Sequence, residues 1–282
     1  MAHLPITIGA VAYDPKVVEI WEGIRDYFRE QNIPTDYVLF SNYEALVDAL
    51  LDRSIDMAWN TNVAFVRAEQ RAGGRCISLA MRNTDREFTT RLIARTDSGI
   101  SGLEDLRGKR LALGSADSAQ AAILPLYFLE QAGIDPENEV DLIRFDLDVG
   151  KHGDTGTSEL EVLRALHEGV ADAGAIGHVV WLQSLEKGLV NRSLVRSVWT
   201  SPPYDHCSFT VLEHFDPDLA RRWTEALLKM DFNNPRWRRL MDLEGLSACV
   251  PGRKDGYESL RAAIGGRQEE ATSPRSRSDS LA

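Results

Sequence analysis

The feature that most constrains this chain is an alternation of strand-like and helix-like segments that runs through its first third and then starts again. Residues 6–13 read as a buried strand, 16–30 as an amphipathic helix, 35–40 as a strand and 43–51 as a helix. A short strand at 56–59, a helix at 62–71 and a strand at 76–81 follow, the last after the Gly73-Gly74 break. Alternation of this kind packs helices on both faces of a largely parallel sheet. The second cycle has strands at 88–95 and 109–114, a helical turn at 103–106 between them, and a helix at 117–131 that Gly133 is placed to stop. A strand at 142–145, a helix at 158–167, a strand at 171–176 and a helix at 178–185 complete it. Strands at 194–200 and 208–212 lead back out, and helices at 216–230, 235–242 and 254–263 close the chain.

The expected architecture is therefore α/β in two lobes, each a mostly parallel sheet flanked by helices, with a ligand cleft between them. Lobe 1 is discontinuous, from 1–88 and 201–264; lobe 2 spans 89–200; the polar segment 265–282 reads as a disordered tail. A length of 282 residues suits two cores better than one.

The net charge of -11 repels nucleic acid and acidic membrane surfaces, and with 27% charged residues the chain offers no membrane span. An anionic ligand would have to be held by local dipoles or single bases. Cys76, Cys207 and Cys249 are scattered, odd in number and without metal-ligand spacing, which favours a reducing compartment. Residues 1–9 lack the features of a secretory signal, so the expected location is the cytoplasm, or the periplasm for a chain whose leader had been removed. No Walker loop, nucleotide fingerprint, nucleophile elbow or zinc-protease motif is present, and neither a cofactor nor a metal is expected.

Several segments carry a more specific signal. They are the run from Leu103 to Ala112 (LEDLRGKRLA), Gly169 to Ala173 (GVADA), Ser201-Pro202-Pro203, the run from Met230 to Pro235 (MDFNNP), and Leu240 to Pro251. Together they resemble the phosphate and phosphonate solute-binding protein family, over nearly the whole chain to about residue 264. The resemblance implies a type II periplasmic-binding-protein-like fold, a small-molecule ligand and, if the protein is exported, an ABC transporter permease as partner.

In such folds ligands sit at the carboxyl ends of strands, where helix N-termini present unpaired N–H groups. The turn from Gly114 to Gln120 (GSADSAQ) is the main candidate, with Ser115, Asp117, Ser118 and Gln120 as ligand residues. It is similar to the Ser-Thr-Ser-Gly turn with which the family holds phosphonate oxygens, but Asp117 and Gln120 depart from that pattern. A carboxylate there is unfavourable beside a phosphonate. Asp117 or Ser118 could equally be an N-cap.

Lobe 1 should offer Tyr13, Tyr43, Asn60 and Thr61, with Trp59 as core or cleft aromatic. Tyr43 matches a position where the family often has a ligand-contacting aromatic. Lobe 2 should offer His152, Thr157, Ser158 and Glu159 from a glycine-rich loop, and His178 at a strand end. Tyr204-Asp205-His206-Cys207 is the most chemically loaded tetrapeptide. Histidine titrates near neutrality, aspartate can orient it and cysteine can attack. On an extended strand Tyr204 and His206 would share one face, Asp205 and Cys207 the other.

Two readings follow. In the first, the chain captures a small anionic or polar molecule, a phosphonate- or phosphate-like oxyanion or an organic acid, between clamps at 115–120 and 157–159. The crossings near Phe88 and Ser201 then act as hinges. In the second, it is a cytoplasmic enzyme on the same fold, a lyase-type dehydratase or decarboxylase, with His206 as general acid or base and Asp205 and Cys207 beside it.

Overall fold

The computed structural model describes residues 5–272. Strand β1 (Ile6–Val11) is almost wholly buried because it lies between two others, β2 (Thr35–Phe40) and β3 (Met57–Asn60), both parallel to it. Helix α1 (Lys16–Glu30) crosses between β1 and β2 and buries Val17, Ile20, Trp21, Ile24, Tyr27 and Phe28, the stripe that a 3.6-residue period places on one side. Helix α2 (Tyr43–Leu51) starts where the Asn42 side chain accepts the Ala45 N–H at 2.9 Å. Its Leu46 packs so close to β1 that a Cβ on Gly9 would lie 2.4 Å from Leu46 Cδ1. Helix α3 (Asn62–Arg71) and strand β4 (Cys76–Arg82) follow.

The chain then crosses to a second sheet through β5 (Thr90–Arg95). That sheet is built from β6 (Arg110–Leu113), β7 (Asp141–Arg144), β8 (Ala173–Gly177) and β9 (Val195–Thr200), in the order β7-β6-β8-β5-β9. Its helices are α4 (Leu124–Gln131), α5 (Pro136–Glu139), α6 (Thr157–His167) and α7 (His178–Glu186). The return strand β10 (Ser208–Leu212) enters the first sheet between β3 and β4. Helices α8 (Pro217–Leu227) and α9 (Pro235–Leu243) lead to a short strand, β11 (Cys249–Pro251), on the far side of β4. The first sheet thus has the order β11-β4-β10-β3-β1-β2.

Each sheet is mixed, and the reason is the crossing. Strands of one lobe run with their carboxyl ends toward the other lobe, so a strand arriving from that lobe must run the opposite way. Accordingly β5 is antiparallel to β8 and β9, and β10 is antiparallel to β3 and β4. The expectation of mostly parallel sheets holds, with β5 and β10 running against their neighbours and β11 adding a further antiparallel pairing that periodicity could not reveal in three residues.

The expected helix at 117–131 is also modified. Residues 119–123 form a wider π-helical turn before α4 begins. Pro125 has no N–H to donate to Ala121, and the freed Ala121 carbonyl accepts the Gly114 N–H instead, at 3.0 Å. The last helix, α10 (Glu258–Thr272), packs on α3 of one lobe and α4 of the other. The tail was expected from 265, whereas α10 carries the chain as helix to Thr272; residues 273–282 lie outside the described ones. No helix among the described residues is long and apolar enough to cross a membrane.

Candidate functional site

The two crossings lie side by side. Tyr204 N–H donates to Phe88 O at 2.9 Å in an isolated antiparallel bridge, Ser201 N–H donates to Thr90 O at 2.9 Å, and the Thr90 N–H returns a bond to Ser201 Oγ at 3.0 Å. In front of them a cavity of about 740 Å³ opens between the lobes. Lobe 1 gives it Tyr13, Trp59, Arg82 and Asp85; the return crossing gives it His206 and Cys207; lobe 2 gives it Gln120 and the segment from Gly153 to Thr157.

The tetrapeptide at 204–207 is extended backbone with one bridge rather than a continuous strand, so the strict alternation expected for it does not hold. His206 and Cys207 both line the cavity, with His206 Nδ1 and Cys207 Sγ 3.0 Å apart. The His206 ring stacks on Phe88, centroids 4.7 Å apart. Asp205 turns away: its carboxylate takes both Nε and Nη2 of Arg253, at 2.6 and 2.7 Å, and its N–H donates to Gly256 O. Tyr204 is also directed between the crossings, its hydroxyl 2.9 Å from Thr90 Oγ1. The acid beside His206 is Asp85, 3.7 Å from Nδ1. Burial pushes His206 down to about 4 and the Cys207 thiol well above its usual value.

The serine and aspartate side chains of the turn at 115–120 are satisfied from within the protein. Asp117 accepts the Ser115 hydroxyl at 2.7 Å and the Gly150 N–H, Asp146 accepts the Ala116 N–H at 2.8 Å, and Ser118 Oγ caps the following helix on Ala121 N–H. Ser115 and Ser118 are fully buried, and of the turn's candidates only Gln120 reaches the cavity, with no partner for its Oε1 among the described residues.

The glycine-rich loop that follows β7 does something the sequence did not suggest: it reaches across and fastens onto lobe 1. The His152 ring lies on Tyr43 with centroids 4.7 Å apart and 15° between planes, and its Nδ1 is 2.7 Å from Thr61 Oγ1. Tyr43 donates its hydroxyl to Asp154 and its N–H to Gly150 O, and Lys151 Nζ donates to the carbonyls of Ala12 and Ser41. Gly153 sits hard against the other wall, where a Cβ would come within 2.5 Å of Ser118 Oγ, and its φ of +85° suits glycine. Tyr43, Thr61 and His152, expected as ligand residues, thus meet one another. Asn60 is fully buried beside them, with no partner among the described residues for either amide atom. Burial, reinforced by Asp85 and Glu244, lifts Asp154 to about 7, while burial pushes His152 down to about 3.

In α6 Thr157 and Leu160 line the cavity, and of the residues expected there from the sequence only Thr157 does. Ser158 packs against Gly114, and Glu159, wholly buried, accepts the Gly177 N–H at 2.6 Å on Oε1; burial lifts its carboxyl to about 8. His178 accepts the Thr89 N–H on Nδ1 at 3.1 Å and packs on Phe88, at the first crossing.

Sequence reasoning missed Arg82, Asp85, Asp154 and Glu244. Arg82 lies over Trp59, 5.3 Å from its ring centroid, and gives Nε and Nη2 to Asp85 at 2.7 and 2.8 Å and Nη1 to Glu244 Oε2 at 3.1 Å. The available signal was the Arg82-Asp85 spacing in a polar run placed at the first crossing.

Known proteins share this organisation. A family model described as ABC transporter, phosphonate, periplasmic substrate-binding protein matches residues 8–257. The probable ABC transporter phosphite binding protein PhnD1 of Prochlorococcus marinus (strain MIT 9301) is 22% identical over 246 residues, covering 84% of this chain and 80% of its own length. Its structure in complex with methylphosphonate aligns with a TM-score of 0.71 at 19% identity, over 94% of this chain and 98% of that one. XAC2383 from Xanthomonas citri, bound to ATP, aligns with a TM-score of 0.74 at 22% identity, over 94% and 98%. At these identities the structural likeness speaks for the two-lobed fold, and the family model for descent: the chain belongs to the phosphonate family of periplasmic substrate-binding proteins of ABC transporters.

Proposed function

We propose that this protein captures a small anionic or polar solute in the cleft between its lobes and presents it to an ABC transporter permease. The single observation that carries the reading is the cavity of about 740 Å³, walled by both lobes in front of two adjacent crossings. A solute seated there touches both lobes at once, so its binding energy favours the closed arrangement. The loop from Gly150 to Asp154 already makes contacts across the cleft that closure requires. Gln120 and Thr157 from lobe 2, and Tyr13 and His206 from lobe 1 and its return crossing, are the side chains we assign to solute contact.

One observation favours the enzymatic alternative: His206 faces the cavity, and its Nε2 has no partner among the described residues. Against it, a histidine held near 4 is poorly matched to proton transfer at neutral pH, Asp205 is committed to Arg253, and a protonated thiol is no nucleophile.

A thermal-shift screen against phosphate, phosphonates, sulfonates, carboxylates and amines, with mass spectrometry of whatever stabilises the protein, separates the two. A solute that binds the native state raises its melting temperature by mass action. Recovery of that solute unchanged supports capture; recovery of a product whose formation stops in His206→Ala replaces capture with catalysis. Fractionation of cells expressing the gene distinguishes the cytoplasm from the periplasmic setting in the family's description.

A further inference from the structure

We propose that the captured solute is an oxyanion with a hydrocarbon body, a phosphonate larger than methylphosphonate, and that Leu160, Val179, Val180 and Leu189 form the wall that selects for that body. The proposal deepens the capture reading and rests on it.

The head of such a solute has donors to meet it. The N–H groups of Ser115, Asp117, Ala119 and Gln120 have no acceptor among the described residues, and the last two open the helical stretch that runs through the π-turn into α4. Unpaired N–H groups at the start of a helix favour a negative charge. Gln120, 4% exposed, lines the cavity with an amide whose Oε1 has no partner among the described residues and which also carries two donors.

The apolar wall begins beside that amide. A Cβ on Gly177 would lie 3.0 Å from Gln120 Cγ, and α7 starts at the next residue, so Val179 and Val180 stand in its first turn. A Cβ on Gly156 would lie 3.5 Å from Val180 Cγ2, which brings the start of α6 to the same place. Leu160 follows Thr157 by three residues and shares its side of α6, and both line the cavity. Leu189 lies past the other end of α7, about 13 Å of helix away at 1.5 Å per residue. A short body reaches the two valines, and a longer one runs on toward Leu189.

None of the four is core. Leu160 is 42% and Leu189 50% exposed, and Val179 and Val180 are half-buried. Apolar surface turned to a cavity gains from being covered by methylenes, about fourfold in affinity for each one fully buried. Gln183 and Lys187 interrupt the wall with exposed side chains, long enough to turn their polar ends to water. Size points the same way. Methylphosphonate fills a small part of about 740 Å³, and cavities of roughly 300 to 1,000 Å³ enclose ligands of drug size. Tyr13 and Leu243 line the same space from lobe 1, so a body lying on the lobe 2 wall has an apolar cover on its other side.

The test is calorimetric titration of the full chain with methyl-, n-butyl- and n-hexylphosphonate. Hexylphosphonate is expected to bind at least about tenfold more tightly than methylphosphonate. That ratio should fall by about threefold or more in Leu160→Ser and in Leu189→Ser. It should keep its wild-type value in Leu182→Ser, which changes a leucine 52% exposed on α7 but outside the cavity lining. All three side chains are exposed, and circular dichroism of each variant establishes that it is folded. If methylphosphonate binds as tightly as hexylphosphonate, the hydrocarbon assignment fails while capture stands. A chain-length preference that survives both cavity variants, or that Leu182→Ser reduces equally, overturns the wall. A solute without an oxyanion that the wider screen shows to bind more tightly than the whole series overturns the proposal as well. If neither this series nor the wider screen has any effect, the capture reading fails and takes this one with it.

Discussion

His152 lies flat on Tyr43, a lobe 2 ring on a lobe 1 ring, and its Nδ1 reaches Thr61 at the start of α3. Ring stacking and one buried hydrogen bond are each worth about 1 kcal/mol. His152→Ala should therefore shift the solute-free protein toward an open arrangement by roughly 1 to 2 kcal/mol. Small-angle scattering should record a larger radius of gyration than for wild type. An unchanged scattering curve would show that this contact does not hold the lobes together.

Stability should have an unusual pH profile. Unfolded carboxyls ionise near 4, but burial keeps Asp154 protonated to about 7 and Glu159 to about 8. Their contribution is full in acid and is lost as pH rises through those values. Burial does the reverse to His152 and His206, held down to about 3 and 4 against about 6.5 when unfolded. Their contribution is present above about pH 6.5 and is lost as pH falls. Between about pH 4.5 and 6.5 the two trends oppose and the melting temperature should be flat; above about 6.5 the carboxyl effect acts alone and it should fall. Scanning calorimetry from pH 5 to 9 should show that decline blunted in Glu159→Gln; an equal decline in the variant would remove Glu159 from the account.

Asp205 is a structural residue in this arrangement. Its removal takes two charge-assisted hydrogen bonds from Arg253, which keeps only Asp255 at 3.5 Å among the described residues, a change that costs about 2 kcal/mol. Urea unfolding of Asp205→Ala should show this loss, and solute affinity per folded molecule should stay within twofold of wild type. A large affinity change at unaltered stability would restore Asp205 to the site.

Cys207 should be chemically silent. With burial holding its thiol protonated, iodoacetamide at pH 8 should alkylate it on the order of a hundredfold more slowly in the native protein than in urea. Peptide mapping by mass spectrometry measures both rates, and rapid native labelling would contradict the burial described.

The two α/β cycles, the crossings and most element bounds were legible because they depend on local periodicity: α1 and α3 can be read from apolar spacing alone. The mixed direction of the sheets was less so, since β5 and β10 look like any other strand and their orientation follows from where the chain arrives. The site was read least well. Residue type suggested that Ser115, Ser118, Ser158 and Asp205 belong to chemistry, but each is committed to its own lobe. Conversely, Arg82, Asp154 and Glu244 are far apart in sequence, and no spacing announces that they surround one cavity. Polar side chains reveal what they can do, and only tertiary packing decides which of them still have a free atom.

The paired crossings at Phe88–Tyr204 and Thr90–Ser201 have a mechanical consequence. If the lobes move on closure, two connections fixed side by side would resist sliding and twisting and favour rotation about the line through them, with α10 sliding on α4 as it turns. The conformational state of such a molecule is close to a single coordinate. One distance, measured between a label on α9 and another on α7 at opposite lips, would then report it at every stage from empty to filled.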